Sequence, residues 1–81
     1  MTQAVQKVGK PFKRILLTGA AGGLGKVLRD RIKSWADVVR LSDVVDMGEA
    51  RDGEEIVQCD LADKDAVIKL LEGVDAVLHF G

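Results

Sequence analysis

The chain has 81 residues, 12 Lys and Arg against 13 Asp and Glu, a formal net charge of −1, and 47% hydrophobic residues. That length holds one domain at most, and a near-neutral charge without a basic stripe does not suit a nucleic-acid partner. No apolar run approaches the roughly 18 residues of a membrane span, and the opening MTQAVQKVGKPFKR lacks the apolar core of a secretory signal. The single cysteine, Cys59, cannot form an internal disulfide and fits a reducing compartment, so a cytoplasmic protein is expected.

Residues 1–12 alternate small, polar and basic types up to Pro11 and read as a flexible lead-in, with the folded part starting at residue 13. RILLT, residues 14–18, is a short apolar run stopped by glycine, as in a strand buried on both faces. Leu24, Val27, Leu28 and Ile32 then recur at helical spacing, with Lys26, Arg29, Asp30, Arg31 and Lys33 between them. This predicts an amphipathic helix ending near residues 34–36, with Trp35 as a packing residue. VVRLSD (38–43) reads as a second strand, VVDMGEARDG as a loop, and EEIVQCD (54–60) as a third strand.

Asp63 is the expected N-cap of a helix whose buried face is Val67, Leu70 and Leu71, with Gly73 as its stop. DAVLHFG, residues 75–81, is the fourth strand. Strands joined by long crossovers predict an α/β fold with a parallel sheet. Right-handed crossovers set the order 3-2-1-4, with one helix on each face. The second crossover offers no helix, so the layer on that side is incomplete.

Thr18-Gly19-Ala20-Ala21-Gly22-Gly23-Leu24-Gly25 places glycines at 19, 22 and 25 directly between a strand and a helix. A dinucleotide fingerprint requires that context. Gly19 would take the tight turn, Gly22 would let the backbone approach a pyrophosphate, and Gly25 would let the helix pack on the strand. The N–H groups of residues 22–24 would then face the phosphates at the positive end of the helix dipole. Lys26 is not needed for this and is expected to face solvent. A glycine turn without a ligand has the same spacing, and Asp43 tilts the balance. It ends the second strand 18 positions after Gly25 (43 − 25), where a carboxylate accepts the adenosine ribose hydroxyls and repels a 2′-phosphate. NAD is therefore expected over NADP, although a strand-end turn residue is the alternative for Asp43. Arg40 falls on the opposite face of the strand.

Asp60 and Leu61 end the third strand, where such a sheet meets an adenine ring; capping is the rival role for Asp60, with Asp63 the better-placed cap. Cys59 reads as a buried strand residue. His79, the one histidine, either borders the cofactor or is an ordinary strand-end residue, and no second His or Cys pairs with it as a metal site.

TGAAGGLG, LSD, CDLAD and VLHFG together resemble the start of an extended short-chain dehydrogenase/reductase of the NAD-dependent epimerase/dehydratase family. LLTGAAGGLGKVLRDRI, VQCDLADKDAV and HFG look most like its bacterial uronate dehydrogenase branch. The resemblance spans residues 13–81, which would be about the first third of such an enzyme. It implies a Rossmann-like domain in which Gly23 and Leu24 meet the pyrophosphate and Asp43 the ribose. Asp60 and Leu61 would border the adenine, and His79, Phe80 and Gly81 would start the loop towards the nicotinamide. Members of that branch oxidise the anomeric carbon of galacturonate or glucuronate with NAD, giving the aldarolactone, with the tyrosine of a Tyr-x-x-x-Lys motif as base.

The chain has no tyrosine, so no catalytic residue is assigned. It is expected to be the cofactor-binding part of a longer enzyme, inactive alone, with the sugar acid held by the remainder. Its fourth strand would leave an open edge carrying Val77, Leu78 and Phe80, which invites self-association. The alternatives are a sugar-nucleotide epimerase or dehydratase, and a non-catalytic NAD-binding sensor.

Overall fold

The computed structural model describes residues 10–80, so Gly81 and residues 1–9 of the expected lead-in lie outside the described residues. The elements run β1 (Phe12–Thr18), α1 (Gly23–Arg31), a 3-10 turn (Ile32–Ser34), β2 (Ala36–Asp43), β3 (Glu54–Gln58), α2 (Lys64–Leu70) and β4 (Ala76–His79). All pairings are parallel, in the order β3-β2-β1-β4. Right-handed crossovers account for that order.

Strand β1 is paired on both sides and covered on both faces, which is why Ile15 through Thr18 are all buried. Ile15 and Leu17 join Ala20, Ile32, Ala36, Val39 and Leu41 under α1. Leu16 points the other way, to Cys59 and Leu70 beneath α2. The alternation of a strand thus divides the core between two layers.

Polar ties close the lower end of the sheet. Arg14 and Arg40 both donate to Glu55, each at 3.0 Å, and Arg40 also reaches the carbonyls at the end of α2. Burial alone would push the Glu55 carboxyl up, but the hydrogen bonds from Arg40 and Arg14 hold it below its ordinary range. Gly73, with φ 74°, reverses the chain after α2. Asp75 then accepts the N–H groups of Lys13 and Arg14 at 3.0 and 2.8 Å, and these two bonds lower its pKa.

Several expectations shift. Strand β1 begins at Phe12, one residue inside the expected lead-in, because its N–H bonds the Trp35 carbonyl at 3.0 Å. Strand β3 stops at Gln58, before Cys59 and Asp60. The inward stripe of α1 is Gly25, Leu28, Arg29 and Ile32, while Leu24 and Val27 stand more than half exposed. Contact at Gly25 is backbone against backbone, which rotates residues 24 and 27 onto the flank. Leu71 is the C-cap of α2 rather than part of its face and is 44% exposed, and Trp35 is 43% exposed.

Arg29 sits inside because its guanidinium meets the fully buried Glu54 side chain at 2.8 and 2.6 Å. Those hydrogen bonds, aided by the Arg51 N–H, lower the Glu54 pKa to about 2 and raise that of Arg29.

Candidate functional site

The carboxyl ends of β1, β2 and β3 open into a cleft of about 420 Å³. It is lined by the β1 end (Thr18, Gly19, Gly22), the β2 end (Ser42, Asp43, Val44), Cys59 to Leu61, and Phe80. Ligands of open α/β sheets bind outside these strand ends.

The glycines divide the work by geometry. Gly19 turns the chain at φ 69°, a left-handed conformation that a side chain disfavours. At Gly25 a Cβ would stand 2.6 Å from the Gly19 carbonyl oxygen and 2.7 Å from the Ala20 Cα, so only glycine lets α1 start this close to β1. Gly22 is the N-cap of α1; it has no side chain to offer the helix, and no acidic residue occupies the first turn. The amides of Gly23, Leu24 and Gly25 are therefore left without an intrahelical acceptor at the positive end of the dipole. One expectation is corrected here. The Gly22 N–H is not free, because it closes the turn onto the Gly19 carbonyl at 3.2 Å. Lys26 is exposed, as expected.

Asp43 lines the cleft in direct contact with this turn. Its Oδ2 accepts the Ala21 N–H at 3.0 Å and its Oδ1 the Val44 N–H at 2.7 Å. Arg40, on the other face, is directed to Glu55 and α2. Asp60 and Leu61 lie on the cleft wall just past β3; the Asp60 Oδ1 accepts the Ala62 N–H at 2.9 Å, while Asp63 caps α2 through the Ala66 N–H at 3.1 Å. Cys59 is buried at the base of the cleft. Phe80 closes one side, and His79 beside it turns its Nδ1 to the Thr18 hydroxyl at 2.6 Å.

The sequence reading missed Thr18, Ser42, Val44 and Cys59 as lining residues. Thr18 and Ser42 carried a usable signal, since a polar residue closing an otherwise apolar strand marks the mouth of a parallel sheet. Val44 carried only its place next to Asp43; its 57% exposure is visible in the structure alone. Among the described residues, no group of three His, Cys, Asp or Glu side chains could hold a metal ion, and no helix is long and apolar enough to cross a membrane.

A parallel sheet whose first strand feeds a glycine turn and an uncapped helix is a Rossmann-like nucleotide-binding unit. A sequence profile of the NAD dependent epimerase/dehydratase family matches residues 15–81, and the chain belongs to that family. It is 64% identical over 72 residues to a uronate dehydrogenase of Pseudomonas putida, which covers 88% of this chain and 27% of that protein. The crystal structure of uronate dehydrogenase from Agrobacterium tumefaciens superposes with a TM-score of 0.86 at 46% identity, over 88% of this chain and 27% of that one. A mutant of the Agrobacterium enzyme complexed with NAD gives 0.84 at 47% identity, over 86% and 26%. The chain spans about a quarter of the length of the curated relatives it matches.

Proposed function

We propose that residues 13–81 form the N-terminal part of the NAD-binding domain of a longer dehydrogenase that oxidises a hexuronate, galacturonate or glucuronate, to its aldarolactone. The observation that carries this is the uncapped start of α1, with open amides at Gly23 and Leu24, next to a cleft lined by Gly22 and the Asp43 carboxylate, in a chain 64% identical to a uronate dehydrogenase.

The residues present suit NAD. Backbone amides at a helix N-terminus hold a pyrophosphate without any side-chain cation, and the glycines at 22 and 23 leave room for it, with no contact below 3.5 Å even for an added Cβ. The second oxygen lone pairs of Asp43 accept ribose hydroxyls, and its charge repels a 2′-phosphate. Val44 and Leu61 supply apolar walls for the adenine, with Asp60 at its edge and Phe80 towards the other end of the cleft. Thr18, Gly19 and Gly25 shape the turn, and His79 supports Thr18. NAD, when bound, takes up the hydride released from the sugar's anomeric carbon. Base and sugar contacts belong to the remainder of the protein, which we place with this chain in the cytoplasm.

The test is an assay of the full-length protein with galacturonate, glucuronate and neutral galactose, following NADH formation. Turnover of the uronates with NAD, and little with NADP or galactose, is expected. NAD-dependent interconversion of a nucleotide sugar without net NADH would replace this reading with an epimerase.

A further inference from the structure

We infer that Asp43 fixes the shape of the glycine turn, so that cofactor selectivity and phosphate binding are coupled through one carboxylate. The inference rests on the NAD reading and deepens it, since a residue acting on the ribose alone would leave the phosphate subsite untouched.

The hydrogen-bond pattern carries it. The turn from Gly19 to Gly22 closes on itself only through the Gly22 N–H. The amide in its middle, Ala21, is tied instead to β2, where Asp43 Oδ2 accepts it at 3.0 Å across 22 residues of chain. The other oxygen, Oδ1, is held by the Val44 N–H at 2.7 Å and more distantly by the Val45 N–H at 3.5 Å. The main chain runs the same way: the Ala20 N–H bonds the Ser42 carbonyl at 3.1 Å, and the Cys59 N–H bonds that of Asp43 at 3.0 Å. The carboxylate is thus clamped between its own loop and the phosphate turn, with one face left towards the cleft.

A carboxylate offers about two acceptor sites per oxygen. Oδ2 spends one on Ala21 and keeps one for a ribose hydroxyl, while Oδ1 accepts Val44 and, weakly at 3.5 Å, Val45, a bond that a ribose hydroxyl can displace. Asparagine has a single oxygen, so its NH₂ must face either Ala21 or Val44, donor against donor. Serine is too short to span both. A neutral substitution that removes the repulsion of a 2′-phosphate therefore breaks at least one of the two ties, to Ala21 or to Val44, and loosens the clamp on the turn that aims the Gly23 and Leu24 amides. A single change at residue 43 is expected to lose NAD without gaining NADP. Asp43 is in this sense a positioning residue as well as a ribose contact.

The experiment compares the full-length protein with its Asp43→Asn variant, titrating NAD and an NAD analogue lacking both adenosine-ribose hydroxyls by calorimetry. The two substitutions, one in protein and one in ligand, form a cycle that isolates the ribose contribution. Losing a charge-assisted bond should raise the Kd for NAD about tenfold or more in the variant. Raising the Kd of the analogue by a comparable factor, with NADP still weak, supports the inference. A penalty confined to NAD, absent with the analogue, overturns it, as does a melting temperature that falls while analogue affinity stays unchanged.

A second measurement needs no variant. In the unsubstituted protein without ligand, the Ala21 amide should exchange its hydrogen at least about tenfold more slowly than the Gly23 and Leu24 amides. Equal exchange at all three overturns the proposal. Unsubstituted protein that takes up no NAD sinks the cofactor reading instead, and Ala21 protection still decides whether Asp43 holds the turn.

Discussion

Thr18 and His79 stand opposite each other on β1 and β4, with the Thr18 hydroxyl 2.6 Å from the His79 Nδ1. The same hydroxyl oxygen accepts the Phe80 N–H at 3.2 Å. The hydroxyl thus bridges the two strand ends, with the imidazole on one side and the Phe80 N–H on the other. The edge strand is thereby latched to the strand that feeds the phosphate turn, and Phe80 is held beside the cleft. A Thr18→Val variant removes both bonds and should lower stability by about 1 kcal/mol in a thermal melt; an unchanged melting temperature would contradict the latch.

Two glycines two residues apart should respond in opposite ways to the same methyl group. At Gly25 an added Cβ falls 2.6 to 2.7 Å from backbone atoms of Gly19 and Ala20, none of which can step aside. Gly25→Ala should cost about 1–3 kcal/mol or more of stability, as overpacking does. At Gly23 nothing lies within 4 Å, so Gly23→Ala should be neutral or stabilise the helix by up to about 1 kcal/mol. Thermal melts of the two variants check this, and equal destabilisation would show that α1 does not approach β1 as described.

The Arg29–Glu54 pair makes acid stability predictable. Glu54 is held at about 2 in the fold against an ordinary value of 4.5. A depressed carboxyl stabilises above its unfolded pKa, and that contribution is lost as pH falls through the folded one. On the order of 3 kcal/mol should therefore disappear between about pH 4.5 and pH 2. Melting temperature against pH measures it. Glu54→Gln should lower the neutral-pH value, since Arg29 is left buried and unpaired, and should flatten the acid limb; an unchanged acid limb would refute the pairing.

Much of the fold was legible because its signals are local. RILLT and VVRLSD announce buried strands, Asp63 and Gly73 mark the ends of α2, and the handedness of crossovers sets the sheet order. The ends of the site residues' strands were likewise readable, which put Gly19, Asp43 and Leu61 at one mouth. What stayed hidden depends on contacts across the chain. Periodicity counted Leu24 and Val27 as core and Arg29 as surface. The bare backbone at Gly25 and a carboxylate 25 residues away reverse those positions. The loss of the Gly22 amide to its own turn, and the grip of Asp43 on Ala21, are geometric facts that spacing alone does not contain.

In the proposed function, open amides at the start of α1 hold the diphosphate of NAD while Asp43 holds its ribose. Amide NMR of the full-length protein during an NAD titration tests it most directly. Saturable shifts at Gly23 and Leu24, accompanied by Asp43 and Val44, are the predicted result. Binding that leaves Gly23 and Leu24 unmoved, or that moves residues away from this cleft, would contradict it.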